Sequence, residues 1–118
     1  QIDHICAHGS CTETNELIET IAYKKALGNH AYRVQISATK PVTGHMLGAA
    51  SAVEAAICAL SIHKQVIPPT AHLEQPYKGC DLDYVPKKAR PYPLKTSLNI
   101  NMGFGGKMSA LILQKFQT

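Results

Sequence analysis

Two histidines stand where regular structure is expected to end or to begin. His8 follows a short apolar segment, and His45 directly precedes a long one. In open α/β sheets, ligands collect at the carboxyl ends of strands and at the helix starts above them. A helix start disfavours a protonated imidazole, so neutral rings there can donate N–H bonds to an oxyanion. The alternative, for each histidine taken alone, is that its ring only satisfies nearby backbone groups.

One lysine and one glutamate could form a charge pair beside these histidines. Glu54 is the sole charged residue between positions 46 and 62, and a buried carboxylate without a partner is energetically costly. Lys40, which follows a predicted strand, is the natural partner. The couple is either a structural ion pair alone or a pair that holds His8 and His45 in one protonation state and orientation.

The elements that must position these side chains are predicted by the pattern of apolar residues. Residues 2–7 predict a buried strand, and residues 32–37 predict a second one. Residues 12–27 predict an amphipathic helix that ends at Gly28. Its apolar side is expected to consist of Leu17, Ile18, Ile21, Ala22 and Ala26.

The rest of the chain predicts a further helix, an arm and a hairpin. Residues 46–62 are apolar almost all round but short for a membrane span, so they predict a helix buried in the middle of a layered domain. Residues 66–93 hold all but one of the seven prolines and predict an arm with little regular structure. Residues 96–102 and 109–113 predict a hairpin. This order of elements favours an α/β layered domain with a mixed sheet.

The charge pattern argues against a nucleic-acid partner. The net charge is +4, but the basic residues are not interleaved with aromatic ones, and Trp is absent. The one short basic cluster, Lys87, Lys88 and Arg90, is either a solvated loop or a docking patch for an acidic partner.

The cysteine and histidine spacings predict no metal site. On a strand, His4 and His8 would lie about 13 Å apart, too far for one metal ion. The cysteines lack a C-x-x-C spacing and any disulfide framework, so the reducing cytoplasm is the expected compartment. They are Cys6, Cys11, Cys58 and Cys80.

Five motifs, in order along the chain, resemble those of the β-ketoacyl synthases. Residues 7–12 (AHGSCT) resemble that family's AHGTST segment, and residues 15–20 (NELIET) resemble its ND-x-x-ET continuation. Residues 37–40 (SATK) and 43–50 (TGHMLGAA) resemble SSTK…TGHxLGAAG, and residues 68–70 (PPT) and 103–106 (GFGG) complete the series. The resemblance covers essentially the whole chain and is strongest to the elongating, carrier-protein-dependent members.

This resemblance implies a fold, a reaction and partners. The fold is a layered thiolase-like half-domain, with residues 1–118 forming part of the carboxy-terminal domain. The reaction is the decarboxylative Claisen condensation of acyl and malonyl thioesters in fatty-acid or polyketide synthesis. No cofactor of its own is implied, since the phosphopantetheine arm is carried by the acyl carrier protein. The other implied partners are the amino-terminal ketosynthase half and a second subunit, in a homodimer or a heterodimer, with neither a nucleic acid nor a membrane.

The resemblance also implies roles for the singled-out residues. His8 and His45 would bind the malonyl thioester carbonyl and promote decarboxylation. Lys40 would support this histidine network, with Glu54 as its salt-bridge partner. Family hydroxyls that bind the phosphopantetheine arm correspond to Ser10 and Thr12. The gating phenylalanine and its neighbour in the acyl site correspond to Phe104 and Gly105.

The sequence departs from the family pattern in places. The motif that carries the family's nucleophilic cysteine is absent, so residues 1–118 alone are expected to be inactive. Cys11 occupies a family serine position, which disfavours a Cys11–His8 dyad. Lys107-Met108 and Asn99-Ile100-Asn101 differ from the usual residues around the acyl site and leave room for a divergent polyketide-type synthase.

Two other classes of function compete with the enzyme. One is a non-catalytic ketosynthase-like partner subunit of the chain-length-factor type, and retention of His8, Lys40, His45 and Glu54 argues against it. The other is an unrelated α/β binding domain, which the ordered motifs disfavour.

Overall fold

A four-stranded mixed sheet forms the centre of the computed structural model, which describes residues 1–116. Its strand order is β2-β1-β5-β6; β1 runs parallel to β2 and β5, and β6 runs antiparallel to β5. The mixed α/β fold predicted from the sequence is thereby confirmed. A two-stranded antiparallel ribbon, β3-β4, lies in the arm. The strands are β1 (His4–Cys6), β2 (Gln35–Ser37), β3 (Val66–Ile67), β4 (Arg90–Pro91), β5 (Thr96–Gly103) and β6 (Lys107–Gln114).

Three α-helices flank the sheet in the described residues: α1 (Glu13–Leu27), α2 (Lys40–Thr43) and α3 (Ala50–Lys64). Short 3₁₀ turns occupy Gly28–Arg33, Leu47–Ala49 and Phe104–Gly106. The first of these turns replaces the beginning of the strand predicted over 32–37. Because Gly28 has a positive φ of 56°, the chain leaves α1 sharply and re-enters the sheet only at Gln35.

The sheet separates two layers of different character. On one face, Ile5 and Ile36 pack with Tyr23 of α1 and Leu82 of the arm. On the other face lies α3, where the side chain of Asn99 donates to the carbonyl of Ser51 at 3.0 Å. Alternation along β1 and β5 therefore directs apolar side chains towards α1 and mostly polar ones towards α3.

The predicted apolar side of α1 is wrong. Leu17, Ile18 and Ile21 are 39%, 53% and 43% exposed, and Ala22 and Ala26 are exposed as well. The helix instead buries Glu19, Thr20 and Tyr23. Burial of these polar groups is tolerated because each finds hydrogen-bond partners; Thr20, for example, pairs with the hydroxyl of Tyr84 at 2.7 Å.

The prediction that α3 is buried on all sides also fails for this chain. One side of the helix is buried through Glu54, Cys58 and Ser61. The opposite side is exposed, and Leu60 there is 57% accessible. Within residues 1–116, α3 packs on the sheet and, through Ile62, on Ile67 and Val85 of the arm, and nothing covers its opposite side.

The arm and the hairpin follow the sequence more closely. The β5–β6 hairpin is confirmed, with Thr96 paired to Gln114 and Gly103 to Lys107. The arm is irregular apart from β3 and β4, and an Arg90–Asp83 ion pair that also engages Gln35 fastens it to β2. In the described part of the chain, no helix is long and apolar enough to cross a membrane.

Candidate active site

His8 lies in the segment that follows β1, and a side chain of α1 binds the backbone of this segment. The N–H groups of His8 and Gly9 each donate to the carboxylate of Glu19 at 2.9 Å. Gly9 has a φ of +49°, and a Cβ at this position would lie 2.4 Å from the Cβ of Ala38. Only glycine suits this close approach in a left-handed conformation, so the sharp turn places the His8 ring at the edge of the sheet.

Glu19 is the residue that the sequence reasoning missed. It is 3% exposed, and besides the two backbone donors it accepts bonds from Asn15 at 2.7 Å and from the Tyr23 hydroxyl at 2.6 Å. Burial, with the Glu19 carboxylate next in importance, raises the pKa of Tyr23 well above its ordinary value. The available signal was the polar stripe at four-residue spacing, Asn15, Glu19 and Tyr23, on one face of α1.

His45 lies between α2 and the 3₁₀ turn Leu47–Ala49, two residues before that turn, and it is exposed. The sequence placed it at the start of a long helix, but α3 begins only at Ala50. The backbone N–H of Leu47 donates to His45 Nδ1 at 3.1 Å. The imidazole therefore caps the 3₁₀ turn, and this contact fixes which ring nitrogen is free.

The two imidazoles meet edge to face. Their ring centroids are 5.5 Å apart and their planes are inclined by 80°. His8 Nδ1 accepts the backbone N–H of Met102 at 3.3 Å, as His45 Nδ1 accepts that of Leu47. When Nδ1 accepts, the proton of a neutral imidazole resides on Nε2. Both rings are thus arranged to present an Nε2–H donor.

The environment of His8 favours its neutral form. Burial lowers the pKa of His8 below 6.5, and the positive charge of Lys40 lowers it further. The Glu19 charge, hydrogen bonding with Asn101 and the neighbouring His45 contribute less than these two causes. A neutral His8 at pH 7 follows, which is the form that can donate a single N–H without carrying a charge.

Lys40 and Glu54 form the predicted ion pair. Lys40 Nζ lies 2.5 Å from Glu54 Oε1, and the two side chains are 5% and 1% exposed. The second carboxylate oxygen of Glu54 has no hydrogen-bond partner within the described residues. The pair does not line the cavity in front of the histidines but lies buried behind it. Its influence on that cavity is therefore electrostatic and structural.

A cavity of about 930 Å³ opens in front of the two histidines. Ser10, Thr12 and Phe104, all singled out from the sequence, line it together with His8 and His45. Phe104 is 97% exposed at its rim. Gly105, in the same turn with a φ of 77°, does not line the cavity.

Strand β5 contributes amides to the same region. The side chain of Asn101 lines the cavity and donates to Asn99 at 3.1 Å, while Asn99 binds the backbone of Ser51 at the start of α3. This chain of contacts ties the hairpin to the helix behind the histidines. From the sequence, Asn99 and Asn101 stand out only as departures from a family pattern.

The described cysteines lie away from this cavity. Cys6, Cys58 and Cys80 are buried, and Cys11 is exposed but lines a different cavity. A Cys11–His8 dyad therefore finds no support in the geometry. Among residues 1–116, no three His, Cys, Asp or Glu side chains are grouped as a metal site would require.

Comparison with known proteins gives consistent matches. The family model described as "Beta-ketoacyl synthase, C-terminal domain" matches residues 1–74. The "Putative polyketide beta-ketoacyl synthase 1" of Streptomyces virginiae is 49% identical over 117 residues, which make up 99% of this chain and 28% of that protein. The "3-oxoacyl-[acyl-carrier-protein] synthase 2" of Coxiella burnetii is 45% identical over 115 residues, or 98% of this chain and 28% of that protein. The chain spans about a quarter of the length of the curated relatives it matches.

Solved structures agree with these relatives. A ketosynthase structure, described as a type II PKS acyl-carrier protein in complex with its ketosynthase bound to the hexaketide, superposes with a TM-score of 0.93 at 39% identity. The match covers 98% of this chain and 28% of that one. A β-ketoacyl synthase from Burkholderia phymatum gives a TM-score of 0.90 at 30% identity, again over 98% of this chain and 28% of the other. The resemblance carried by the sequence motifs is confirmed.

Proposed function

Because this chain belongs to the β-ketoacyl synthase family, we propose that its paired imidazoles bind and activate a malonyl thioester for decarboxylative Claisen condensation. The whole reaction needs an acyl group held as a thioester on a cysteine outside residues 1–118. Residues 1–118 supply the groups that stabilise negative charge. The product is a 3-oxoacyl thioester on an acyl carrier protein, in fatty-acid or polyketide synthesis.

One observation carries this proposal: the two imidazoles meet at one cavity, and each accepts a backbone N–H at its Nδ1 atom. His8 and His45 are 5.5 Å apart between ring centroids, and backbone N–H groups occupy both Nδ1 atoms. Two preorganised donors directed at one cavity fit an oxygen atom on which charge develops.

The proposed first step breaks the bond between the malonyl α-carbon and its carboxylate. Carbon dioxide leaves, and the electron pair delocalises onto the thioester carbonyl oxygen to give an enolate. His8 and His45 donate their Nε2–H bonds to that oxygen, and the bonds strengthen as its charge grows. In mutated enzymes, the loss of one such donor costs about 10²–10³-fold in rate.

In the second step, the enolate carbon attacks the carbonyl carbon of the acyl–cysteine thioester. A new carbon–carbon bond forms, the thioester carbonyl becomes a tetrahedral oxyanion, and the cysteine thiolate leaves when that intermediate collapses. Splitting the reaction through a covalent acyl–enzyme gives two lower barriers in place of one. Phe104 and Gly105, in the turn at the cavity rim, are proposed to border the acyl group and to offer backbone N–H to this second oxyanion.

Lys40 and Glu54 act through the histidines. Lys40 is buried and close enough to depress the pKa of His8 by its charge. Glu54 pairs with Lys40 at 2.5 Å, so a net buried charge is avoided. We therefore assign both to positioning and to maintaining the neutral state of His8 rather than to direct contact with substrate.

Ser10 and Thr12 are proposed to hold the phosphopantetheine arm by hydroxyl hydrogen bonds. Both line the cavity on the His8 side, where an extended arm would pass on its way to the imidazoles. The partners that follow are an acyl carrier protein, an amino-terminal ketosynthase half and a second subunit. The cysteines are free thiols, which suits the cytoplasm as the proposed compartment.

The test is decarboxylation of a malonyl carrier-protein thioester by the synthase expressed from its own gene. His8→Ala and His45→Ala are expected to lower the rate of carbon dioxide release by about 10²-fold or more each, by loss of one donor. His63→Ala is the matched control, because His63 is exposed near the end of α3 and lies outside the cavity. Unchanged carbon dioxide release in both variants would refute the proposal. A native protein that loads no acyl group and releases no carbon dioxide would indicate the non-catalytic partner subunit instead.

A further inference from the structure

A second cavity lies on the opposite side of the His8 segment. It has a volume of about 430 Å³ and is bordered by α1, the ends of β1 and β2, and residues 70–77 of the arm. Its walls include Ile36, Ala38, Pro41 and Leu73. This volume lies within the range of cavities that hold small molecules, and apolar walls are typical of such sites.

The segment after β1 forms a partition between the two cavities. His8, Ser10 and Thr12 line the candidate active site, whereas Gly9 and Cys11 line the second cavity. The two spaces therefore share a wall but no lining residue. A molecule in the second cavity would contact Gly9 and Cys11 without entering the space assigned to substrate.

Two carboxylates that line this cavity, Glu16 and Glu19, lack a charged partner among residues 1–116, and Glu19 already accepts four hydrogen bonds. Glu16 Oε1 accepts the backbone N–H of Cys11 at 3.0 Å. Among residues 1–116, no lysine, arginine or histidine forms an ion pair with it. Burial raises the pKa of Glu16, and the nearby negative charge of Glu19 acts in the same direction. A partly desolvated carboxylate of this kind gains strongly from an added cation.

Three tyrosines, Tyr23, Tyr77 and Tyr84, contribute aromatic rings to the lining. Tyr77 and Tyr84 both border the cavity, and Tyr84 is fixed by its hydrogen bond to Thr20 at 2.7 Å. Aromatic faces attract an ammonium group and also pack against an apolar or aromatic body. Negative charge, apolar walls and aromatic rings therefore occur together in this cavity.

We propose that this cavity binds a small molecule with an apolar or aromatic body and one ammonium group, the ammonium lying at Glu16. The charge on Glu16 selects the cation, and the walls formed by Ile36 and Leu73 take up the apolar body. The site is separate from the proposed condensation chemistry. Its test is therefore independent of whether the synthase is active.

The test uses 2-phenylethylamine as the probe and the synthase expressed from its own gene. Ligand-observed NMR titration at pH 7 is expected to show saturable binding, with a Kd of about 0.1–1 mM for a ligand of this size. The neutral analogue 2-phenylethanol, matched in shape, is expected to bind at least about tenfold more weakly, since it lacks the charge that Glu16 would pair with.

Three variants localise the binding. Glu16→Gln is expected to weaken binding of the amine about tenfold. The same substitution should leave binding of the neutral alcohol unchanged. Glu13→Gln removes an exposed carboxylate of the same helix that does not line the cavity, so it should leave binding unchanged. Ala71→Phe, on the arm, fills the cavity and should abolish binding of both probes without depending on the folding of α1.

The proposal is overturned if the native synthase binds neither probe, as it would if other parts of the synthase fill this space. It is also overturned if the amine and the alcohol bind equally, or if Ala71→Phe binds as the native protein does. Far-ultraviolet circular dichroism and thermal melting of each variant establish that it is folded before its affinity is compared.

Discussion

Glu19 Oε1 accepts the backbone N–H of His8 at 2.9 Å, so a buried side chain of α1 holds the histidine segment from behind. The same carboxylate receives Gly9, Asn15 and Tyr23 as donors. A carboxylate is acceptor-only and can take several donors at once. The orientation of His8 thus depends on a residue that does not line the cavity in front of the histidines.

Replacing Glu19 by Gln is expected to disturb His8 at nearly constant shape. Glutamine has only one acceptor oxygen, so at least one of the four donors loses its partner. Each buried donor left unpaired costs about 1–3 kcal/mol. Urea unfolding of Glu19→Gln should show a loss in this range, together with slower malonyl decarboxylation. Glu13→Gln, on the exposed side of α1, should change neither property; an equal loss in both variants would contradict the positioning role.

Gly9→Ala tests the close approach behind His8. The added Cβ would lie 2.4 Å from that of Ala38, at a φ of +49°. The strain is expected to cost about 1–3 kcal/mol in the free energy of unfolding and to displace His8. Gly48→Ala is the matched control, since a Cβ there meets nothing within 4 Å. Thermal melting of both variants distinguishes a local clash from a general intolerance to alanine.

The Lys40–Glu54 pair should behave as a buried ion pair. Lys40→Met removes one partner and leaves the Glu54 charge uncompensated, at an expected cost of about 3–5 kcal/mol. The double variant Lys40→Met/Glu54→Leu removes both charges and should recover most of that stability. Urea unfolding of the native protein and the two variants provides the comparison. A double variant as unstable as Lys40→Met would show that packing, not charge, dominates at this site.

The pH dependence follows from the lowered pKa of His8. Because the native pKa lies below 6.5, the unfolded chain takes up this proton first as the pH falls, and His8 then disfavours folding. Above pH 6.5 the ring is neutral in both states and the penalty is absent. Activity that depends on the neutral ring should accordingly persist below pH 6.5.

Removing the Lys40 charge should raise the pKa of His8, since that charge is the second cause of its depression. The double variant Lys40→Met/Glu54→Leu makes this change without leaving an unpaired carboxylate. The pKa should nevertheless stay below 6.5, because burial is the larger cause. An NMR titration of the His8 ring measures it directly. A pKa of His8 that does not rise in the variant would show that the Lys40 charge does not lower it.

The sequence predicted those features that depend on local pattern. The strand before His8, the hairpin and the mixed sheet follow from runs of apolar residues and turn residues. The Lys40–Glu54 pair followed from a single physical requirement, the cost of an unpaired buried carboxylate. Each of these features could be inferred without knowledge of the tertiary contacts.

Features set by tertiary contacts could not be predicted in this way. Helical spacing predicts that Leu17, Ile18 and Ile21 form the buried side of α1. In the structure these residues are exposed, and Glu19 and Tyr23 are buried instead. Their polar groups satisfy one another and the His8 backbone, so the usual cost of polar burial does not arise. The start of α3 at Ala50, after the 3₁₀ turn Leu47–Ala49, is likewise a feature that periodicity does not reveal.

The most direct test of the account is a double-mutant cycle on malonyl decarboxylation. The carbon dioxide release rates of His8→Ala, His45→Ala and the double variant are compared with that of the native synthase under single-turnover conditions. If the two rings serve one oxyanion, each single variant should lose about 10²-fold or more, and the double variant little beyond either one. Losses that multiply in the double variant would show that the two histidines act independently, and the account of a shared oxyanion site would be contradicted.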